Sequence, residues 1–110
     1  VKTRNGIVSV SCSDIVYIEN AARILEVHLT DGRSVRSIFI RKSFDEEIKE
    51  IAEDRAFVRV HKSFLVNMNY IKSLGQGFCY MENGRSVPVS KTRAAAVKRE
   101  YLNFVTEQYR

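Results

Sequence analysis

The chain has 110 residues, enough for one packed domain and too few for two. Hydrophobic residues make up 45% of it, with six Phe and five Tyr, so a globular core is expected. No apolar run approaches the roughly 20 residues that span a bilayer, and Val1-Lys2-Thr3-Arg4-Asn5-Gly6 lacks the apolar stretch of a signal peptide. The expected compartment is therefore the cytoplasm, with no membrane partner. A start without Met fits a domain cut from a longer chain.

Net charge is +5, but its distribution is uneven. Residues 43–54 hold six acids (Asp45, Glu46, Glu47, Glu50, Glu53, Asp54) and one base, Lys49. The remainder carries 17 basic residues against 7 acidic ones, the excess a polyanion-binding surface needs to displace counterions from phosphates. A merely solvated basic face would give the same count. Cys12 and Cys79 have no CxxC spacing and read as reduced thiols.

In chain order, the first 40 residues carry strand patterns. Ile7-Val8-Ser9-Val10 alternates after an Asn5-Gly6 turn signal, as a half-buried strand should. Ile15-Val16-Tyr17-Ile18 is a continuous apolar run that suits a strand buried on both faces, and Glu19 to Ala22 suits a tight connection. Arg23 to Leu29 alternates again and Thr30-Asp31-Gly32-Arg33 turns the chain. The next strand sets Val35, Ser37 and Phe39 on one side, Ile38 and Ile40 on the other.

The period then changes. Ser43 followed by Glu46 has the form of a capping box, and Phe44, Ile48 and Ile51 fall on one helical stripe over 43–54. Period 2 returns at Phe57-Val58-Arg59-Val60-His61, and Tyr70 to Leu74 reads as another strand. Phe78 to Glu82 and Arg85 to Val89 flank Asn83-Gly84, the signature of a hairpin with a type I′ turn. Ser90 is placed to cap a last helix whose stripe is Ala94, Val97, Tyr101 and Val105, widened by Leu102. The expected fold is mostly β with two helices.

Three segments carry a family resemblance. Phe57-Val58-Arg59-Val60-His61-Lys62-Ser63-Phe64-Leu65-Val66-Asn67 resembles the signature of LytTR DNA-binding domains. Asp14-Ile15-Val16-Tyr17-Ile18-Glu19 is similar to the family's upstream acidic strand motif, and Val87-Pro88-Val89-Ser90-Lys91 to its downstream Pro-Val-Ser-basic motif. The resemblance runs from about residue 5 to about residue 105.

It implies an elongated stack of three antiparallel sheets with short helices. It also implies loops, rather than a recognition helix, that enter successive major grooves of double-stranded DNA at paired direct repeats. The implied setting is the output half of a bacterial two-component response regulator. There a receiver domain precedes this one, the domain pairs on DNA, and RNA polymerase is a partner of the full regulator.

Transferred residue by residue, the resemblance makes Arg23, Lys62 and Lys91 the base-contacting side chains. Asn20, His61, Ser63, Ser90, Thr92 and Arg93 become phosphate-contacting or positioning residues. The chemistry agrees: Arg offers guanine two donors at once, and Lys reaches the same acceptors less rigidly. Hydroxyls and a free helix N-terminus bind phosphate.

Rival readings of the same residues remain. His61 with Ser63 could suggest catalysis, but no carboxylate or oxyanion motif accompanies them, so no enzyme is expected. His28, His61, Cys12 and Cys79 have no metal-ligand spacing, so no metal or cofactor is expected, and His28 reads as a surface residue. Asn67 suits a turn that bonds local backbone, with direct DNA contact as the lesser reading, and Arg59 either packs in the sheet beside an acid or reaches DNA. An RNA- or single-strand-binding β module, or an adaptor that binds protein through its acidic helix, would also fit the charge pattern.

Overall fold

Turn residues and alternation divide the chain into hairpins, which a computed structural model describes over residues 1–108. A small hairpin pairs β1 (Lys2–Thr3) with β2 (Gly6–Ile7). The main sheet has five strands: β3 (Ile15–Ala21), β4 (Ile24–Leu29), β5 (Ser34–Phe39), β6 (Phe57–His61) and β7 (Phe64–Asn67). Their order is β5-β4-β3-β7-β6. A third sheet, in the order β10-β9-β8, joins β8 (Ile71–Gly75), β9 (Phe78–Met81) and β10 (Ser86–Pro88). The paired strands in all three sheets are antiparallel. With extents of 41 × 27 × 25 Å the stack is elongated, as expected.

Strand β3 lies at the centre of the main sheet with apolar cores on both faces. Ile15 and Ile18 join Leu25, Val27, Ile40, Phe44, Ile48 and Leu65 in one core. Val16 and Tyr17 join Val60, Val66, Met81, Val87 and Val97 in the other. All four residues of the Ile15–Ile18 run are buried, which is why this strand does not alternate. Asn67, 1% exposed, ends β7 by donating its Nδ2 to the Ile15 carbonyl at 2.9 Å and accepting from the Asn69 N–H at 3.0 Å. Its role is structural, as its place in the sequence suggests.

Several elements depart from the sequence pattern. Val8 to Val10 are not strand, and Ile7 is 78% exposed, because β2 pairs only with β1 at the rim. Ser37 on β5 and Ile40 just after it are both buried, while Phe39 is 60% exposed. A register shift against β4 breaks the alternation, and the Ser37 hydroxyl accepts from the Leu25 N–H at 2.8 Å in the disturbed ladder.

The expected helix over 43–54 is two short ones, α1 (Phe44–Glu47) and α2 (Lys49–Ala52), separated by Ile48 at φ −97° and ψ 4°. Half of the capping box forms: the Ser43 Oγ accepts from the Glu46 N–H at 3.2 Å. The Glu46 carboxylate lies 3.4 Å from the same hydroxyl instead of reaching the Ser43 N–H.

The last helix, α3 (Ala94–Gln108), starts after a turn over residues 91–93 rather than at Ser90. Its inner face is Val97, Tyr101 and Phe104, and Leu102 points outward. The Asn83-Gly84 hairpin is a three-residue loop rather than type I′. Only Gly84 has positive φ, the Met81 N–H donates to the Arg85 carbonyl, and the Gly84 N–H donates to the Met81 carbonyl. No described helix is long and apolar enough to cross a membrane.

Candidate nucleic-acid interface

Two backbone bonds tie together the segments that carry the candidate residues. The Asn20 N–H, near the end of β3, donates to the Ser63 carbonyl at 2.8 Å, although |20−63| is far beyond any local turn. The Ser90 N–H, just after β10, donates to the Val60 carbonyl at 2.9 Å. The β6–β7 turn (residues 61–63) is therefore flanked by the β3–β4 turn and by the segment leading into α3.

The main chain of the β6–β7 turn is held at every residue. Arg59 donates from Nε to the His61 carbonyl at 2.8 Å and from Nη2 to the Lys62 carbonyl. The Ser63 carbonyl takes the Asn20 N–H, and the Ser63 N–H donates to His61 Nδ1 at 3.1 Å. With Nδ1 used as an acceptor, a neutral His61 carries its proton on Nε2, where it is a donor. The His61 ring also sits edge-on to Phe64, at 5.5 Å between centroids. Lys62 is exposed at the tip of this anchored turn.

On the flanking segment Lys91 and Thr92 are exposed, and Ser90 and Arg93 are half-buried. The Ser90 and Thr92 hydroxyls lie 3.5 Å apart, and the Arg93 N–H donates to the Ser90 carbonyl at 3.0 Å. Arg93 is near enough to Arg59 that its charge, after burial, holds the Arg59 pKa below the usual arginine value. A polyanion would relieve such a concentration of positive charge.

Two candidates are placed differently from expectation. Ala22 and Arg23 both have positive φ, 50° and 63°, so they form the tight turn between β3 and β4 without a glycine. The Arg23 guanidinium is folded back onto its own domain. It donates to the Ile40 carbonyl at 3.0 Å, and to those of Arg41 and Lys42 at 2.7 and 3.1 Å, and lies over the Phe39 ring. Those donors brace the tight turn, although Arg23 itself is exposed. Asn20 belongs to β3 rather than to a loop, and its Oδ1 is buried without a partner.

The residue whose part the sequence pattern left open is Arg59. Its guanidinium carbon lies 4.6 Å from the Phe44 ring centroid, and the group pairs with Asp45 of α1 and spans two turn carbonyls. An Arg between two valines of a half-buried strand was the available signal.

His28 is not a surface residue. Its ring stacks on Tyr17 at 4.2 Å between centroids, and only 13% of its side chain is exposed. Its Nε2 lies 3.8 Å from the Glu19 carboxylate and 3.9 Å from that of Glu26, within no hydrogen bond. Among the described residues these three have ligand atoms within 4.8 Å of one another, the spacing at which a cation could be shared. Burial lowers the His28 pKa despite the two carboxylates, and the charge of Arg85 acts in the same direction. Burial likewise pushes the Cys79 thiol up to about 11, leaving it protonated and unreactive.

Residues 5–101 match the family profile of the LytTr DNA-binding domain. The chain belongs to the LytTR family. It is 31% identical over 103 residues to the sensory transduction protein LytT of Bacillus anthracis, covering 86% of this chain and 38% of that protein. With LytT of Bacillus subtilis (strain 168) it shares 39% identity over 57 residues, 47% of this chain and 24% of the relative. The chain thus spans well under half the length of the curated relatives it matches. The LytTr DNA-binding domain of a response regulator from Bacillus cereus superposes with a TM-score of 0.70 at 28% identity, covering 93% of both chains. This LytTR domain, as the resemblance first drawn implies, is built of three antiparallel sheets, and the five-stranded and three-stranded sheets carry the candidate loops.

Proposed function

We propose that this LytTR domain is the DNA-reading output of a transcriptional regulator, and that it reads duplex DNA through its loops. The loops enter successive major grooves, and Lys62 and Lys91 donate to base edges. His61, Ser63, Ser90, Thr92 and Arg93 contact or position phosphates, which fixes register without reading sequence. Arg23 and Asn20 shape the β3–β4 turn beside them. The site is paired direct repeats on which two domains sit together. In the regulator a receiver domain precedes this one and RNA polymerase is the downstream partner, all in the cytoplasm. The domain performs no catalysis and needs no cofactor or resident metal.

The observation that carries this reading is the pair of backbone bonds, Asn20 to Ser63 and Ser90 to Val60, that brings the three segments together. They leave Lys62 and Lys91 exposed on neighbouring segments. The test is selection of a binding site from randomised duplex, followed by Lys62→Ala and Lys91→Ala on that site. Each is expected to lose about 1–3 kcal/mol and to relax preference at the base it reads. Folded variants that bind the selected site as tightly as the parent would refute the two assignments. Competition by single-stranded oligonucleotides at equal potency would favour the single-strand reading instead.

A further inference from the structure

The turn that carries Lys62 has no proline and no glycine to stiffen it. Its shape comes from a side chain outside it. Arg59 lies on β6, two residues before the turn, and its planar fork spans the carbonyls of His61 and Lys62 while a third donor meets Asp45. Phe44 supports the guanidinium from below, so two adjacent residues of α1 fix its plane. Arg59 is 19% exposed in its side chain, against 78% for Asp45.

We propose that Arg59 is a positioning residue for specificity: braced by Phe44 and Asp45, it sets the aim of Lys62 by holding the two carbonyls of the reading turn. The inference rests on the reading that Lys62 contacts bases. Three physical consequences follow. The turn is ordered before DNA arrives, so less freedom is lost on binding. The two carbonyl oxygens, which would repel phosphate if left open, are covered by positive N–H groups. The acidic first turn of α1, which has no reason to face DNA, gains a part in recognition through Asp45.

A lysine cannot do this work, because a point charge on a flexible stem does not span two carbonyls and an acid in one plane. Arg59→Lys keeps the charge and most of the stem, and so separates geometry from electrostatics. The measurement is affinity of the parent, Arg59→Lys and Asp45→Asn for the selected duplex and for random duplex, across a range of salt. A thermal melt checks that each variant folds.

Arg59→Lys is expected to bind the selected site about tenfold more weakly, the loss expected when charge-assisted hydrogen bonds are removed. Its affinity for random duplex and its salt slope should match the parent. Asp45→Asn, which touches no DNA, should shift the same ratio in the same direction by a smaller factor. It also serves as the test if Arg59→Lys does not fold. The double variant should lose no more than Arg59→Lys alone, because both act through one brace.

Unchanged selectivity in both folded single variants would overturn the proposal and leave the DNA reading intact. Equal loss on selected and random duplex, with a changed salt slope, would make Arg59 a phosphate contact and also overturn it. A parent that selects no sequence at all would remove the proposal together with the reading on which it rests.

Discussion

The two lysine-bearing segments beside each other on this LytTR domain are held very differently. In the β6–β7 turn each of the three carbonyls, and the Ser63 N–H, has a partner within the domain, and Lys62 projects from a fixed frame. In the segment before α3, the Ser90 and Arg93 N–H groups are tied, while Lys91 and Thr92 are exposed in a turn. The same side-chain chemistry is thus offered once on a preorganised loop and once on a looser one. What distinguishes them is the entropy lost on binding, which takes about 0.5–1.5 kcal/mol for each side chain that must be immobilised.

The sharpest way to break that comparison is to remove the lysines one at a time. Lys62→Ala is expected near the top of the range for a base contact, about 3 kcal/mol, and Lys91→Ala nearer 1 kcal/mol. Equal losses, measured by titration on the selected site, would mean that the frame confers no advantage. His61→Ala comes next. It leaves the Ser63 N–H without its acceptor and removes an outward donor, so affinity should fall by about 1 kcal/mol. A loss confined to thermal stability would limit His61 to a part in folding.

The third segment, the β3–β4 turn, supplies a smaller and opposite effect. Ala22 sits at φ 50°, a conformation that costs a non-glycine residue about 1–2 kcal/mol. Ala22→Gly removes that strain but adds freedom to the unfolded chain, worth about 0.5–1 kcal/mol. Net stabilisation below about 1 kcal/mol is expected in chemical denaturation, with DNA affinity unchanged. A loss of stability would show that Arg23 and its three carbonyls already absorb the strain.

The smallest expected effect lies away from the loops. The His28 pKa is lowered in the folded domain, so unfolding takes up a proton as pH falls below the ordinary histidine value of 6.5. The stability from neutral, buried His28 is fully present above that value and is lost as pH falls through the lower folded value. Parent and His28→Gln melts compared between pH 7 and pH 5 should differ in slope, the parent losing stability faster. Parallel slopes would place the acid sensitivity elsewhere.

The sequence was most legible where local pattern decides structure. Ile15 to Ile18 read directly as a doubly buried strand, Ser43 as a cap, and the three family segments in order as the fold that the structure and its B. cereus counterpart share. It was least legible where one residue's role depends on a partner far away. No local pattern announced that Arg23, carried over as a base contact, donates to the carbonyls of Ile40, Arg41 and Lys42, 17 to 19 residues on.

Arg59 had two open readings because Asp45 lies 14 residues before it, on another element. His28 alternated like a surface residue, but cross-strand pairing opposite Tyr17 buries it. Residues 22 and 23 carry no glycine to announce a left-handed turn. In α3 the start at Ala94 rather than Ser90 goes with an inner stripe that takes in Phe104 and leaves Leu102 outside.

The central claim is sequence-specific reading of duplex DNA by the assembled loops, and site selection with a salt titration tests it most directly. The expected result is a repeated motif bound far more tightly than random duplex, with a steep fall in affinity as salt rises. Weak binding to every duplex alike, with the same salt slope, would contradict it and reduce the three loops to a basic surface.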